Sequence, residues 1–280
     1  MVRYARITVR QALSRSRLPD LDYALNPYAG CAHACVYCYA RAYTRYREVA
    51  ENWGEVVYVK RNLVELLERE VRVRRPGVVG VSTITDPYQP VEAEEELTRR
   101  CIELLSRKGF KVSIQTKSPL VTRDLDVMEA RPEAFDVGFT ITTMNEAVAR
   151  IMEPRAPLPA ARARAVEEVA KRGVKTWIFL GPILPGLNDD RDSIARVIEI
   201  AQRTGSKLYY DYLRVGEALR RSKLLRPEVY QLALKAKSAS WRRHIERVIL
   251  EECDRRGVSC EPEHEHEERL ERSISLEDFM

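Results

Sequence analysis

Three cysteines constrain this chain more than any other feature. Residues 26–39 read NPYAGCAHACVYCY and set Cys31, Cys35 and Cys38 at a C-x3-C-x2-C spacing. Thiolates this close together can sit on one face of a tight loop and grip a single soft inorganic partner. Iron–sulfur clusters are held in this way, usually by four thiolates. Only three are local here, because the next cysteine is Cys101. A cluster held by three ligands leaves one iron with an open position, which is what a catalytic site needs. A zinc ion held by the same thiolates and His33 is a second arrangement, although a histidine lying between the cysteines is hard to wrap onto the same ion. The chain is too long and too poor in cysteine for a small disulfide scaffold.

The loop resembles the signature of the radical S-adenosylmethionine (radical SAM) superfamily, with Tyr37 as the aromatic before the last cysteine. The resemblance implies a [4Fe–4S] cluster on Cys31, Cys35 and Cys38, with SAM chelating the open iron. It also implies an external electron donor and reductive cleavage of SAM to methionine and a 5′-deoxyadenosyl radical. In such enzymes the cofactors carry the hard chemistry and the protein binds and orients them.

The 280 residues suit one α/β domain of barrel type, and 45% hydrophobic content is ample for its core. Basic and acidic residues nearly cancel, at 47 against 42, so the surface is dense in ion pairs and fits a thermophile. Residues 1–17 hold no apolar signal core, and no stretch approaches the length of a membrane span. A cytoplasmic protein without membrane contact is expected.

Along the chain, residues 1–20 read as an N-terminal arm, 21–225 as the core domain, and 226–280 as a charged helical and acidic appendage. Strands are expected at 21–25, 55–60, 78–83, 111–116, 135–142, 175–181 and 207–213. Helices are expected at 40–52, 62–74, 91–108, 122–130, 147–152, 160–172, 189–203 and 227–256. Strands alternating with helices predict a parallel sheet of βαβ units. About six strands form its core, as in the partial (β/α)6-type barrel that the resemblance implies. Active-site groups then gather where strands end.

Those ends supply the remaining candidates. The loop Thr85-Asp-Pro-Tyr-Gln-Pro-Val-Glu92 and the run Gln115-Thr-Lys-Ser118 resemble the spore photoproduct lyase-like branch, as do Glu153-Pro-Arg-Ala-Pro157 and 181–189. The resemblance implies that Thr85 and Asp86 receive the ammonium of SAM. It gives the SAM carboxylate to Lys117 and Arg162, and the ribose or carboxylate to Thr140 and Thr142. Taken alone, the first loop is a turn, and Lys117 and Arg162 are solvated or paired charges. One departure stands out: the branch carries a cysteine hydrogen donor near the end of its second strand, where this chain reads Val81-Ser-Thr-Ile-Thr85.

The substrate is open, with nucleic acid as one class and repair of a DNA lesion, which the resemblance to the lyase-like branch implies, as the second enzymatic reading. Arg41, Arg45, Arg47, Arg220, Arg221, Arg242 and Arg243 are candidates for a basic face. A metal-stabilised nucleic-acid-binding protein without catalysis is the reading from another class. Cys101 reads as a buried helix residue, while Cys253, Cys260, His264 and His266 form a second candidate metal set.

Overall fold

Alternation along the strands decides which face of this protein is core. Val112, Ile114 and Thr116 are buried, whereas Ser113 and Gln115 between them are half-buried. Period-two side chains of this kind give a sheet with one face sealed and one partly open. The computed structural model describes residues 1–220 and 222–263. Its strands are β1 (Arg3–Ile7), β2 (Leu13–Arg15), β3 (Tyr23–Leu25), β4 (Tyr28–Ala29), β5 (Val56–Lys60), β6 (Val78–Val81), β7 (Lys111–Thr116), β8 (Phe135–Thr140), β9 (Lys175–Ile183), β10 (Lys207–Tyr212) and β11 (Cys260–Pro262).

One sheet runs β2-β3-β6-β7-β8-β9-β10-β11, and every pairing from β3 to β11 is parallel. The expected six-strand parallel core, β3 and β6 to β10, is therefore present and in chain order, as an open sheet of partial-barrel type. Its sealed face packs on Leu63–Glu70, Leu97–Arg107, Pro159–Lys171, Arg191–Thr204 and Ala239–Arg256, in one core containing Val137, Phe139, Ile178 and Leu180. Cys101 is fully buried there, as expected. No helix among the described residues is long and apolar enough to cross a membrane.

Several expected elements differ. The first 20 residues are not featureless: β1 pairs parallel with β5, and β2 pairs antiparallel with β3. With β4 antiparallel to β5, a separate three-stranded sheet forms, β1-β5-β4, that flanks the cysteine loop. The 40–52 helix is two short ones, Ala40–Tyr43 and Arg47–Glu51. The 91–108 helix breaks at Glu96, whose φ of 48° is left-handed and cannot continue a helix. Only Leu125–Glu129 of the 122–130 segment is α-helical, the turn before it being 3-10. The charged C-terminal helix is also divided, into Pro227–Ala233, a 3-10 turn and Ala239–Arg256.

Candidate functional site

The cysteine loop starts where β3 ends, at the C-terminal edge of the parallel strands. Asn26 anchors its first turn: Oδ1 accepts from the Thr83 and Ile84 amides, and its carbonyl accepts from Lys60 Nζ at 2.6 Å. Gly30 has φ of 89°, and a Cβ there would lie 2.6 Å from the Val56 carbonyl oxygen. Only glycine brings the loop that close to β5. The Gly30 carbonyl accepts from Thr85 Oγ1 and Gln89 Nε2, while Gln89 Oε1 accepts from the Ala32 amide at 2.9 Å. Within this frame Cys31 and Cys35 are buried, Cys38 is half-buried, and all three are free thiols.

Asp86 braces the loop from behind. Its carboxylate accepts from the Tyr88 amide, from Thr116 Oγ1 at 2.7 Å and from the Lys117 amide at 2.8 Å. His33 Nδ1 lies 3.3 Å from Asp86 Oδ2, with the ring 1% exposed. The imidazole is thus turned to Asp86, an engagement that competes with the Cys3His zinc arrangement. Among the described residues no three His, Cys, Asp or Glu side chains group as ligands of one metal ion. The structure places Thr85 and Asp86 in the frame of the loop, Thr85 Oγ1 donating to the Gly30 carbonyl and Asp86 facing His33.

A second buried network fixes the far side. Val36 donates its amide to the Met152 carbonyl at 2.9 Å, and the Tyr37 hydroxyl donates to Glu153 Oε1. Glu153 pairs with Arg162 at 2.5 Å, both side chains being about 1% exposed or less. Arg162 also donates to the Thr140 and Pro157 carbonyls. Arg162 is thus engaged as a brace behind Tyr37. Glu153 is not singled out by sequence reasoning, although the Glu-Pro-Arg run contains it. Its partner Tyr37 lies 116 positions away.

Lys117 Nζ lies 5.8 Å from the centroid of the Tyr37 ring, close enough for its charge to act on Cys35 and Cys38. Thr140 Oγ1 accepts from Gln115 Nε2 at 3.3 Å. Thr142 Oγ1 and Ser82 Oγ are buried without a hydrogen-bond partner. Two orphaned hydroxyls at the ends of β8 and β6 are costly unless a ligand satisfies them.

Burial dominates the titration of the loop. It pushes the Cys31 thiol well above its ordinary range, assisted by Asp86, and raises Cys38. It pushes Cys35 up to about 12, although Lys117 works in the other direction. Burial also opposes charge on Asp86, Glu153 and Lys117 but is outweighed at each. Asp86 is brought down to about 2, chiefly by His33 and its hydrogen bonds. Arg162 and Lys117 lower Glu153, while Cys35 and Glu153 raise Lys117. The site therefore keeps Asp86, Glu153, Lys117 and Arg162 charged beside three neutral thiols that release protons when a metal binds.

The donor set fits an iron–sulfur cluster with SAM. Cys31, Cys35 and Cys38 supply soft thiolates, Lys117 a cation for a carboxylate, and Ser82 and Thr142 unused hydroxyls. The second candidate set does not fit a metal, because Cys253 and Cys260 are joined in a disulfide; His264 and His266 lie outside the described residues. Cys260 pairs with Leu208, near the start of β10, so the disulfide is at the end of the sheet opposite the cysteine loop. Among the candidate arginines, Arg47 pairs with Glu51, Arg242 donates to the Ala236 carbonyl and Arg45 stacks over Tyr46. Arg221 lies outside the described residues.

Known proteins agree with this geometry. An uncharacterised protein of Methanocaldococcus jannaschii is 28% identical over 247 residues, covering 87% of this chain and 91% of its own. One from Acidianus two-tailed virus is 32% identical over 205 residues, covering 70% and 67%. The fold is that of spore photoproduct lyase, whose complex with dinucleoside spore photoproduct superposes with a TM-score of 0.66 at 15% identity, over 92% of this chain and 81% of the lyase. Streptococcus suis SuiB bound to S-adenosylmethionine is more distant, with a TM-score of 0.55 at 10% identity, over 86% of this chain and 50% of SuiB. The sequence profile of the radical SAM superfamily matches residues 25–198, spanning the cysteine loop and the strand ends just described, and the chain belongs to that superfamily.

Proposed function

We propose that the protein is a radical SAM enzyme that cleaves SAM reductively and abstracts hydrogen from a substrate held beneath the cysteine loop. The observation that carries this reading is one loop of three free thiols, two buried and one half-buried, beside the Lys117 ammonium at the C-terminal edge of a parallel sheet. When bound, a [4Fe–4S] cluster with SAM supplies one-electron cleavage of the sulfonium bond and a 5′-deoxyadenosyl radical. The chain's own part is to hold and orient. Lys117 offers its ammonium to the SAM carboxylate as a point charge. Tyr37 is fixed by Glu153 and Arg162, and Asp86 and Gln89 keep the loop in shape.

Repair of spore photoproduct itself is disfavoured. Ser82 stands near the end of β6, where the lyase-like branch carries its thiol, and an alcohol O–H is too strong a bond to quench an alkyl radical. The disulfide cysteines lie at the opposite end of the sheet.

The test is anaerobic reconstitution with iron and sulfide, reduction, and chromatography of SAM products. Methionine and 5′-deoxyadenosine are expected, without efficient reversal of spore photoproduct in an oligonucleotide. Zinc uptake with no iron uptake defeats the reading. Lys117→Ala is expected to keep its iron and to lose about ten- to a hundredfold in SAM affinity, the cost of one charge-assisted contact. Isothermal titration of the loaded protein measures it, and an unchanged affinity removes Lys117 from the site.

A further inference from the structure

Three tryptophans occur in the chain, and an indole N–H can only donate a hydrogen bond. Trp177 Nε1 donates to Asp136 Oδ1 and Trp241 Nε1 to Asp189 Oδ2, each at 2.8 Å. Trp53 breaks this pattern. The residue is 5% exposed, and its Nε1 is buried with no acceptor among the described residues. An unpaired donor shut away from water carries its full desolvation penalty. Such an atom calls for a partner that arrives after the chain has folded.

The surroundings narrow what that partner can be. Trp53 follows the helix Arg47–Glu51, and this segment grips the cysteine loop on both sides of Cys31. A Cβ on Gly30 would lie 2.8 Å from Val49 Cγ1, and one on Gly54 would lie 2.5 Å from the Ala34 Cβ. The Gly54 carbonyl accepts from Arg155 Nη1, while Arg155 donates its own amide to the His33 carbonyl. Between these contacts Trp53 shares one apolar cluster with Cys31, Ala40, Val49 and Val56, against which Cys38, Tyr46 and Tyr58 pack. The side-chain acceptors there are the sulfurs of Cys31 and Cys38 and the two tyrosine hydroxyls, and none takes the indole proton. A thiol sulfur is a weak acceptor. The form of cysteine that ligates a metal is the thiolate, and its negative charge makes it a much stronger one.

We propose that Trp53 tunes this site, its indole N–H donating to sulfur of the iron–sulfur group held by Cys31, Cys35 and Cys38 and stabilising the reduced state. The inference rests on the proposed function, which requires that group to accept one electron. Hydrogen bonds to the sulfurs are among the means by which a protein sets a cluster's potential. An N–H aimed at sulfur opposes the negative charge that reduction adds, so it raises that potential. Trp53 thereby eases the electron's entry before SAM is cleaved.

The experiment uses the full chain, reconstituted anaerobically with iron and sulfide and isotopically labelled at the indole nitrogen. Pulsed EPR of the reduced protein should show hyperfine coupling from an indole nitrogen. That coupling should vanish in Trp53→Phe and persist in the double variant Trp177→Phe with Trp241→Phe, which assigns it even where Trp53→Phe fails to load. Potentiometric titration without SAM should place the midpoint of Trp53→Phe lower, with the parent's iron content. At a fixed potential the ratio of reduced to oxidised protein falls about tenfold, which is about 59 mV for one electron. A purely structural Trp53 moves iron content or thermal stability but gives no nitrogen coupling. Absent coupling in the iron-loaded parent, or an unchanged midpoint in iron-loaded Trp53→Phe, overturns the inference. A protein that takes up no iron loses the proposed function as well. One that cleaves SAM with its indole nitrogens uncoupled loses this inference alone.

Discussion

Cysteine serves two opposite ends of one sheet in this protein. At the C-terminal edge of the parallel strands, Cys31, Cys35 and Cys38 are close in sequence and remain free thiols. At the other end, Cys253 and Cys260 are seven positions apart and joined. The difference lies in what the surrounding chain permits. Gly30, Gln89, Asp86 and Glu153 hold the first loop in a fixed frame. At the second site the helix Ala239–Arg256 stops at Gly257, in a left-handed conformation, and the chain turns straight into β11. That turn brings the two Cα atoms to 6.3 Å, within the range a disulfide spans. The first set is framed to hold something else, and the second holds only the chain.

The sharpest way to break this comparison is substitution. Replacing Cys31, Cys35 and Cys38 together with Ala should abolish iron uptake, whereas Cys253→Ser with Cys260→Ser should leave it intact. Iron and sulfide assays on reconstituted protein decide it, and iron retained by the triple variant would undo the assignment of the loop.

Next in size is the buried charge behind Tyr37. Glu153→Ala strands Arg162 in the interior and should cost about 3–5 kcal/mol, as removing one partner of a buried ion pair does. Denaturant unfolding of the metal-free protein measures it. A loss below about 1 kcal/mol, the level of an exposed pair, shows the network to be dispensable.

The disulfide should contribute less. Closing so short a loop stabilises by about 2–3 kcal/mol in the chain-entropy account. Thermal melts with and without a dithiol reductant should differ in the parent and coincide in the Cys253→Ser variant.

The smallest effect separates the two ends by pH. Asp86 has a folded-state pKa of about 2, below its ordinary value of 3.8, so its contribution is complete above that ordinary value and is lost as pH falls from there to about 2. A shift of this size corresponds to about 2 kcal/mol. Asp86→Asn should flatten the acid limb of stability on descending through that window, and reduction of the disulfide should not.

What the sequence discloses follows the range of the interactions involved. The cysteine spacing and the apolar runs of β6 to β10 are local signals, and the structure places strands where those runs lie. Strand β1 is different. Arg3, Tyr4 and Arg6 are exposed, so little apolar alternation is left to read. Its partner is β5, more than 50 positions on. The break at Glu96 is hidden because a run of acidic residues reads as helix until the backbone turns. Arg162 is legible from its context, yet its use depends on Glu153 and the Thr140 carbonyl, which only the folded chain brings together. The Cys253–Cys260 bond is invisible at that level, because zinc ligands and disulfide partners look alike as letters.

The frame of the cysteine loop also bears on how the protein is made. All three thiols have been synthesised by residue 38, but the groups that shape their loop arrive much later. Gln89 holds Ala32, Glu153 holds Tyr37, and Ser222 Oγ donates to the Val36 carbonyl across 186 positions. A nascent chain that has just exposed its cysteines therefore has ligands without a pocket. The full frame of the loop is in place only once the chain through Ser222 has been made, so a loop shaped for a ligand exists only after that point.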